Sequence, residues 1–297
     1  MSLTGKFMFG NSPIPRWLSA NGVDFAVLEV GEGPLVLCLH GFPDTAWNMQ
    51  PLLTALAAAG YRAAAPFMRA YAPSSLAVDG DYRATSLARD ALALIDALGE
   101  ERAFIVGHDW GAVTAYLAAA MNPQKVPGIV TAAVPHLRRF LLRPSLRQIH
   151  RSRYMGFFQL RGIPERRIVE DDFRSLRALI HRWSPAWKFS EDEFAPLKSC
   201  FSDPARLSAA LAYYRELPKT LLNPRNRQLI FGKLPVPARV IRGEDDGCIG
   251  AEMFDDQEYC FGAGYELVTM KGAGHFMQCE QPQQFAAHVL EFLDRQK

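Results

Sequence analysis

A chain of 297 residues can hold one large domain, or a core interrupted by an insertion. Apolar residues make up 49% and charged residues 22%, an ordinary globular balance with ample material for a sizeable core. The formal net charge of +2 is too small to argue for nucleic acid or an anionic membrane, and the basic residues between Arg138 and Arg182 form no motif and read as a solvated helical face.

The five cysteines (Cys38, Cys200, Cys248, Cys260, Cys279) lack Cys-x-x-Cys spacing and read as reduced thiols, with Cys38 a small core residue. Met1–Gly10 has no basic segment followed by an apolar one. No apolar run approaches the ~20 residues of a membrane span. These features lead us to expect a cytoplasmic protein.

In chain order, "RWLSANGVDFAVLEV" reads as a hairpin turning at Asn21-Gly22. "PLVLCLH" (34–40) is a buried-type strand, "WNMQPLLTALAAAG" a helix closed by Gly60, and "YRAAAP" a short strand. "TSLARDALALIDALG" (85–99) has helical apolar spacing and a terminal glycine. Then come the strand "AFIV" (103–106), the turn Gly107-His108-Asp109-Trp110-Gly111, an alanine-rich helix from Ala112 to Met121, and the strand "GIVTAAVP". Strands alternating with helices predict an α/β fold, a mostly parallel sheet with helices on both faces. From His136 to about Asn226 no strand-like run occurs; arginines, aromatics and proline-broken helical patches suggest an inserted helical lid. Alternation resumes in "VPARVIRGEDD", "YELVTMKGAGH" and a final helix. The expected division is a core of residues 1–135 and 226–297 with a helical cap at 136–225.

Ligands of parallel sheets bind at the carboxyl ends of strands. Four such ends carry distinctive residues: His40-Gly41-Phe42-Pro43, Asp109, Asp246 and His275. Gly-x-Asp-x-Gly stands between strand and helix where many hydrolases carry Gly-x-Ser-x-Gly, the nucleophile elbow. The order Asp109, Asp246, His275 is that of a nucleophile, acid and base on such a sheet. Taken singly, Asp109 could be a helix cap, Asp246 a turn residue and His275 structural.

The chain resembles the α/β-hydrolase fold over nearly its whole length, and within it the epoxide hydrolase family. "HGFPDTAW" resembles that family's His-Gly-x-Pro loop, "GHDWGA" its elbow, "RGEDD" its acid loop and "GAGHFMQCEQP" its histidine loop. The resemblance implies Asp109 as nucleophile, His275 as base and Asp246 as the orienting acid, with Asp245 as the alternative acid. A serine on an sp³ carbon would leave an ether; a carboxylate, already charged at neutral pH, leaves an ester that water can cleave. His275 then deprotonates that water, and the amides of Phe42 and Trp110 receive the oxyanion.

The resemblance also implies cap tyrosines that donate to the epoxide oxygen. Tyr214, in "LAYYRELP", is the first choice over Tyr213. In "YMGFFQLRGIPE" the family's second tyrosine falls on Phe157, and Tyr154, one turn earlier, is the substitute. Trp110, Phe157 and Phe42 are expected to bind a small hydrophobic substrate. His40, His108 and His275 have no metal-ligand spacing, and no cofactor is expected; water is the co-substrate. No nucleic acid or membrane partner is expected, and the chain could be a monomer or homodimer. The alternatives are a haloalkane or haloacid dehalogenase with the same nucleophile, or a non-catalytic ligand-binding member of the fold. A halide needs N–H donors beside the oxyanion loop, where this chain has Phe42, and no arginine follows the nucleophile to grip a haloacid.

Overall fold

The computed structural model of the protein describes residues 14–296; Met1–Gly10, on which the leader expectation rests, lies outside the described residues. The chain enters as an antiparallel hairpin, β1 (Arg16–Ala20) and β2 (Val23–Val30). Ala20 faces Val23, which leaves a two-residue turn. Asn21 and Gly22 both have positive φ, the mirror-image turn that Asn-Gly adopts with least strain.

Six further strands complete one sheet: β3 (Leu35–Leu39), β4 (Arg62–Pro66), β5 (Phe104–His108), β6 (Ile129–Ala132), β7 (Ala238–Gly243) and β8 (Tyr265–Met270). Their order is β1-β2-β4-β3-β5-β6-β7-β8, parallel from β4 to β8. Strands covered on both faces have no reason to alternate, and Leu35–Leu39 is buried at every position. The chain steps from β3 to β4, then back across β3 to β5. With right-handed crossovers that reversal sends the connecting helices to opposite faces and opens a crevice between the ends of β3 and β5.

Four helices cover the sheet. α1 (Gln50–Ala58) precedes β4, α2 (Ala84–Ala97) precedes β5, α3 (Trp110–Met121) follows β5, and a last helix, Pro282–Asp294, packs on α1 while α2 packs on α3. α3 is buried from Trp110 to Ala119, so its small residues seat it close against the sheet. Gly107 and Gly111 make that approach possible. A Cβ on Gly107 would lie 2.2 Å from the Gly111 carbonyl oxygen, and one on Gly111 would lie 2.1 Å from that of Leu39.

Between β6 and β7 the chain forms only helices: α4 (Leu137–Leu142), α5 (Leu146–Arg151), α6 (Arg153–Phe158), α7 (Ile163–Trp183), α8 (Glu191–Phe201), α9 (Pro204–Leu222) and α10 (Pro224–Phe231). α7 is interrupted at 170–173 by non-helical backbone. The helical run continues six residues beyond the expected end at 225, because Asn223 caps a new helix by accepting the Arg225 amide. Among the described residues no helix is long and apolar enough to cross a membrane.

The tight approach of α3 has a measurable consequence. Gly111→Ala pushes backbone against backbone and should lower stability by about 1–3 kcal/mol or more. A lower denaturation midpoint in urea is the expected result, and an unchanged one would contradict the packing described.

Candidate active site

The turn after β5 has the least relaxed backbone near the crevice. Asp109 sits at φ 50°, ψ −115°, a conformation that non-glycine residues rarely adopt, and it opens α3. There the helix's free N–H groups favour an anion. The residue is only 6% exposed. The Phe42 amide donates to Asp109 Oδ1 at 2.7 Å, while Oδ2 accepts no hydrogen bond from a described residue. Gly41 lets this amide come so close, since a Cβ there would lie 2.4 Å from Oδ1. The Trp110 amide makes no hydrogen bond to the carboxylate.

His40 holds the Phe42 loop from behind. Its Nε2 accepts the Met68 amide at 3.0 Å, so Nδ1 carries the proton and donates to the Gly41 carbonyl at 3.1 Å. Burial depresses its pKa to about 4, which keeps it neutral. His108, neutral for the same chief reason, donates from Nε2 to the His275 carbonyl at 2.8 Å. Both histidines are framework.

The ends of β7 and β8 bring the other two residues of the expected triad together. Asp246 is buried, and its Oδ1 accepts the amides of Cys248 (2.7 Å) and Ile249 (2.9 Å). Its Oδ2 lies 2.9 Å from His275 Nδ1. Asp245 is exposed and ties only its amide to the Ala273 carbonyl, so geometry selects Asp246 of the two. His275 Nε2 faces Asp109 Oδ2 at 3.6 Å, too long for a hydrogen bond but close for an ion pair. Burial opposes the imidazolium, yet the charges of Asp246 and Asp109 outweigh it and raise the His275 pKa to about 10. The resting site therefore favours the protonated imidazole.

The histidine loop is stapled to the end of α7. The His275 amide donates to the Trp183 carbonyl at 3.0 Å, and the Phe276 amide to Ser184 Oγ at 2.9 Å. Ser184 Oγ donates to Glu280, which also accepts the Gly274 amide. The Trp183 ring lies 5.0 Å from that of His275. Sequence reasoning missed Ser184 and Glu280, because their pairing spans 96 residues and follows no motif.

Tyr214 and Tyr154 face the carboxylate from α9 and α6. They join Asp109, Trp110, Val134, Leu137 and other apolar residues in lining one narrow cavity. Their rings meet at 5.8 Å. Burial first, and nearby negative charge including Asp109, hold both phenols well above the usual tyrosine range, so both keep their protons. The Tyr214 hydroxyl is buried beside the Trp110 indole and the Tyr154 hydroxyl without a well-formed hydrogen bond, and the Tyr154 hydroxyl also meets Cys248 Sγ at 3.5 Å. Tyr213 points elsewhere and donates to the Arg69 carbonyl.

Two expected substrate contacts are corrected. Phe157 is 37% exposed and lies off the cavity. One helical turn places Tyr154 and Phe158 on the same face of α6, with rings 5.5 Å apart, and turns Phe157 outward. Phe42 contributes its amide, but its ring packs beneath Tyr214 and Phe158 instead of lining the cavity. Arg215, whose role the sequence did not disclose, clamps this arrangement by donating to the carbonyls of Phe158 (2.8 Å) and Leu160 (2.6 Å) and pairing with Glu165 (2.8 Å).

Asp246, Cys248 and His275 offer donor atoms within 4.8 Å of one another, a grouping of metal-ligand type. Asp246 and His275 are already bonded to each other, and burial keeps the Cys248 thiol protonated. That chemistry does not favour a metal.

Sheet order, a carboxylate elbow and a histidine after the last strand together define a hydrolase of the α/β class. The chain belongs to the alpha/beta hydrolase fold family, whose profile matches residues 34–282, and within it to the epoxide hydrolases. It is 32% identical over 317 aligned residues to epoxide hydrolase A of Mycobacterium tuberculosis, covering 95% of this chain and 98% of that one. It is 29% identical to AB hydrolase superfamily protein YfhM of Bacillus subtilis, with coverage of 95% and 98%. The crystal structure of epoxide hydrolase VrEH1 from Vigna radiata is similar with a TM-score of 0.81 at 26% identity, covering 95% and 97%.

Because two carboxylates raise the His275 pKa, Asp109→Asn should lower it. Titration of the imidazole by NMR reads this directly, and an unshifted midpoint would mean that Asp109 contributes nothing to the charge on His275.

Proposed function

We propose that the chain opens small hydrophobic epoxides to vicinal diols through an ester on Asp109, with residues from His136 to Phe231 serving as the cap over the reaction. Asp109 Oδ2, which carries no hydrogen bond, attacks an epoxide carbon while Oδ1 stays at the Phe42 amide. The C–O bond breaks as Tyr154 and Tyr214 donate to the leaving oxygen, one phenol proton finally passing to the alkoxide. Next, the proton that His275 carries at rest restores the phenol, and the neutral imidazole takes a proton from water, whose oxygen adds to the Asp109 carbonyl carbon. The Phe42 amide, already at Oδ1, stabilises the negative charge there, and the Trp110 amide joins it only as the charge develops. Collapse breaks the bond to the diol oxygen, which takes the proton of the added hydroxyl; the diol leaves, Asp109 is again a carboxylate and His275 again holds its proton. Throughout, Asp246 orients the imidazole and stabilises its charged form.

Ester formation also switches the base on. While Asp109 is ionised, its charge helps to hold His275 protonated; once esterified, that contribution disappears and the imidazole pKa falls towards a value suited to a base.

The observation that carries this reading is the pair of protonated phenols, Tyr214 buried and Tyr154 half-buried, sharing one apolar cavity with Asp109. Such donors suit an oxygen leaving group. A halide would find the Trp110 indole as a donor, but only a phenyl ring at position 42.

With styrene-oxide-type epoxides and a bromoalkane panel, the expected outcome is diol without bromide; bromide without diol would make the enzyme a dehalogenase. Tyr154→Phe and Tyr214→Phe should each slow diol formation by roughly 10²-fold, and the double variant by more. If neither lowers the rate, the phenols are not the acids. His275→Gln should accumulate an adduct of protein and substrate in intact-mass spectra, and full-speed turnover by that variant would remove His275 from the mechanism.

A further inference from the structure

One stretch of the surface combines features that the overall charge conceals. Between His136 and Pro164 lie seven arginines and none of the chain's 31 acidic residues. Several of the seven are spoken for: Arg151 pairs with Glu252, Arg139 donates to backbone carbonyls, and Arg138 lies over the Tyr259 ring. Arg143, Arg147, Arg153 and Arg161 are exposed, and none has a carboxylate partner among the described residues. Arg143 faces the Tyr259 ring, and Arg153 approaches His150 at 3.4 Å.

The same segment exposes large apolar side chains that globular surfaces ordinarily bury. Leu142, Leu146, Ile149, Phe157, Leu160 and Ile163 stand out from it, Leu146 at 86%. Leu146 and Ile149 are three apart on α5, hence on one face. Six large exposed apolar groups within one stretch of chain, from Leu142 to Ile163, are more than singly scattered ones and have the pattern of an interaction surface.

The wall that carries this surface is also the wall of the cavity. Leu137, Phe140 and Leu141 of α4, and Tyr154 and Met155 of α6, line the substrate cavity on the inner side, while Leu142, Arg143 and Phe157 of the same turns face outward.

We propose that this face docks on an anionic lipid surface as a peripheral contact, with the arginines at the phosphates and the apolar side chains in the headgroup boundary. This departs from the expectation based on net charge, since a total near zero hides a segment of one sign. Nucleic acid would use the arginines but leave six apolar side chains in water. A second copy of the chain would bury the apolar residues, but a two-fold contact sets the same arginines against each other with no acid in the segment to neutralise them. Docking does not rest on the epoxide reading. If that reading holds, docking brings the cavity wall to the phase where apolar epoxides dissolve.

The test uses the full chain and sucrose-loaded vesicles of phosphatidylcholine alone or with about one-third phosphatidylglycerol. Co-sedimentation should be at least about tenfold stronger with the anionic vesicles and should fall away near 0.5 M salt, where charges are screened within about 4 Å. Arg143→Glu/Arg147→Glu and, separately, Leu146→Ser/Ile149→Ser should each reduce it tenfold or more, with unchanged circular dichroism and unchanged turnover of a water-soluble epoxide. Absence of binding to anionic vesicles, or equal binding by both variants, overturns the proposal. So does a dimer in sedimentation velocity that either variant abolishes, which would give the face to a second copy. Failure of diol formation with intact vesicle binding would sink the epoxide reading alone.

Discussion

A carboxylate almost removed from water is costly unless charge and hydrogen bonds replace its hydration, and Asp109 is in that position. Three things replace the water: the Phe42 amide at Oδ1, the N-terminal end of α3, and the His275 imidazolium at 3.6 Å. Much of the surrounding architecture exists to make these possible. Gly107 and Gly111 lack side chains because backbone occupies the space and Gly41 because the Asp109 side chain does, and the pairing of β3 with β5 brings the Phe42 loop beside the elbow. The charge on His275 depends in turn on Asp246, whose other oxygen is fixed by two backbone amides.

The second constraint is that the cavity is assembled from separate stretches of chain. Asp109 belongs to the sheet, whereas Tyr154 and Tyr214 come from helices sixty residues apart. Arg215 joins those helices by hydrogen bonds to main-chain carbonyls, and the Ser184–Glu280 link ties the helical segment to the histidine loop. On the proposed mechanism, acid, nucleophile and base therefore share a framework of buried polar contacts. Each of these would be expensive to leave half-made.

Much of the fold was legible because its signals are local. Asn21-Gly22 permits one tight turn, unbroken apolar runs mark strands covered on both faces, and the elbow announces itself through two glycines flanking an acid. The acid's identity was legible only to within one residue: Asp245 and Asp246 look alike until the turn sends one to solvent and the other to His275. Phe157 was misread because the motif was aligned by its letters, while helical phase decides which side chains of α6 face inward. The helical run extends past the expected boundary at 225 because Pro224, after the Asn223 cap, starts a further helix. Arg215 and Glu280 stand inside recognised stretches of sequence, but their roles, like that of Ser184, were not legible because each acts on partners distant in the chain.

The central claim concerns a bond between residue 109 and carbon. A single turnover in ¹⁸O-water with enzyme in excess over epoxide tests it, followed by mass analysis of the peptide containing residue 109. The account predicts that heavy oxygen enters the Asp109 side chain and that the first diol released contains none. Heavy oxygen in that diol, with an unlabelled Asp109, would show direct attack by water and contradict it.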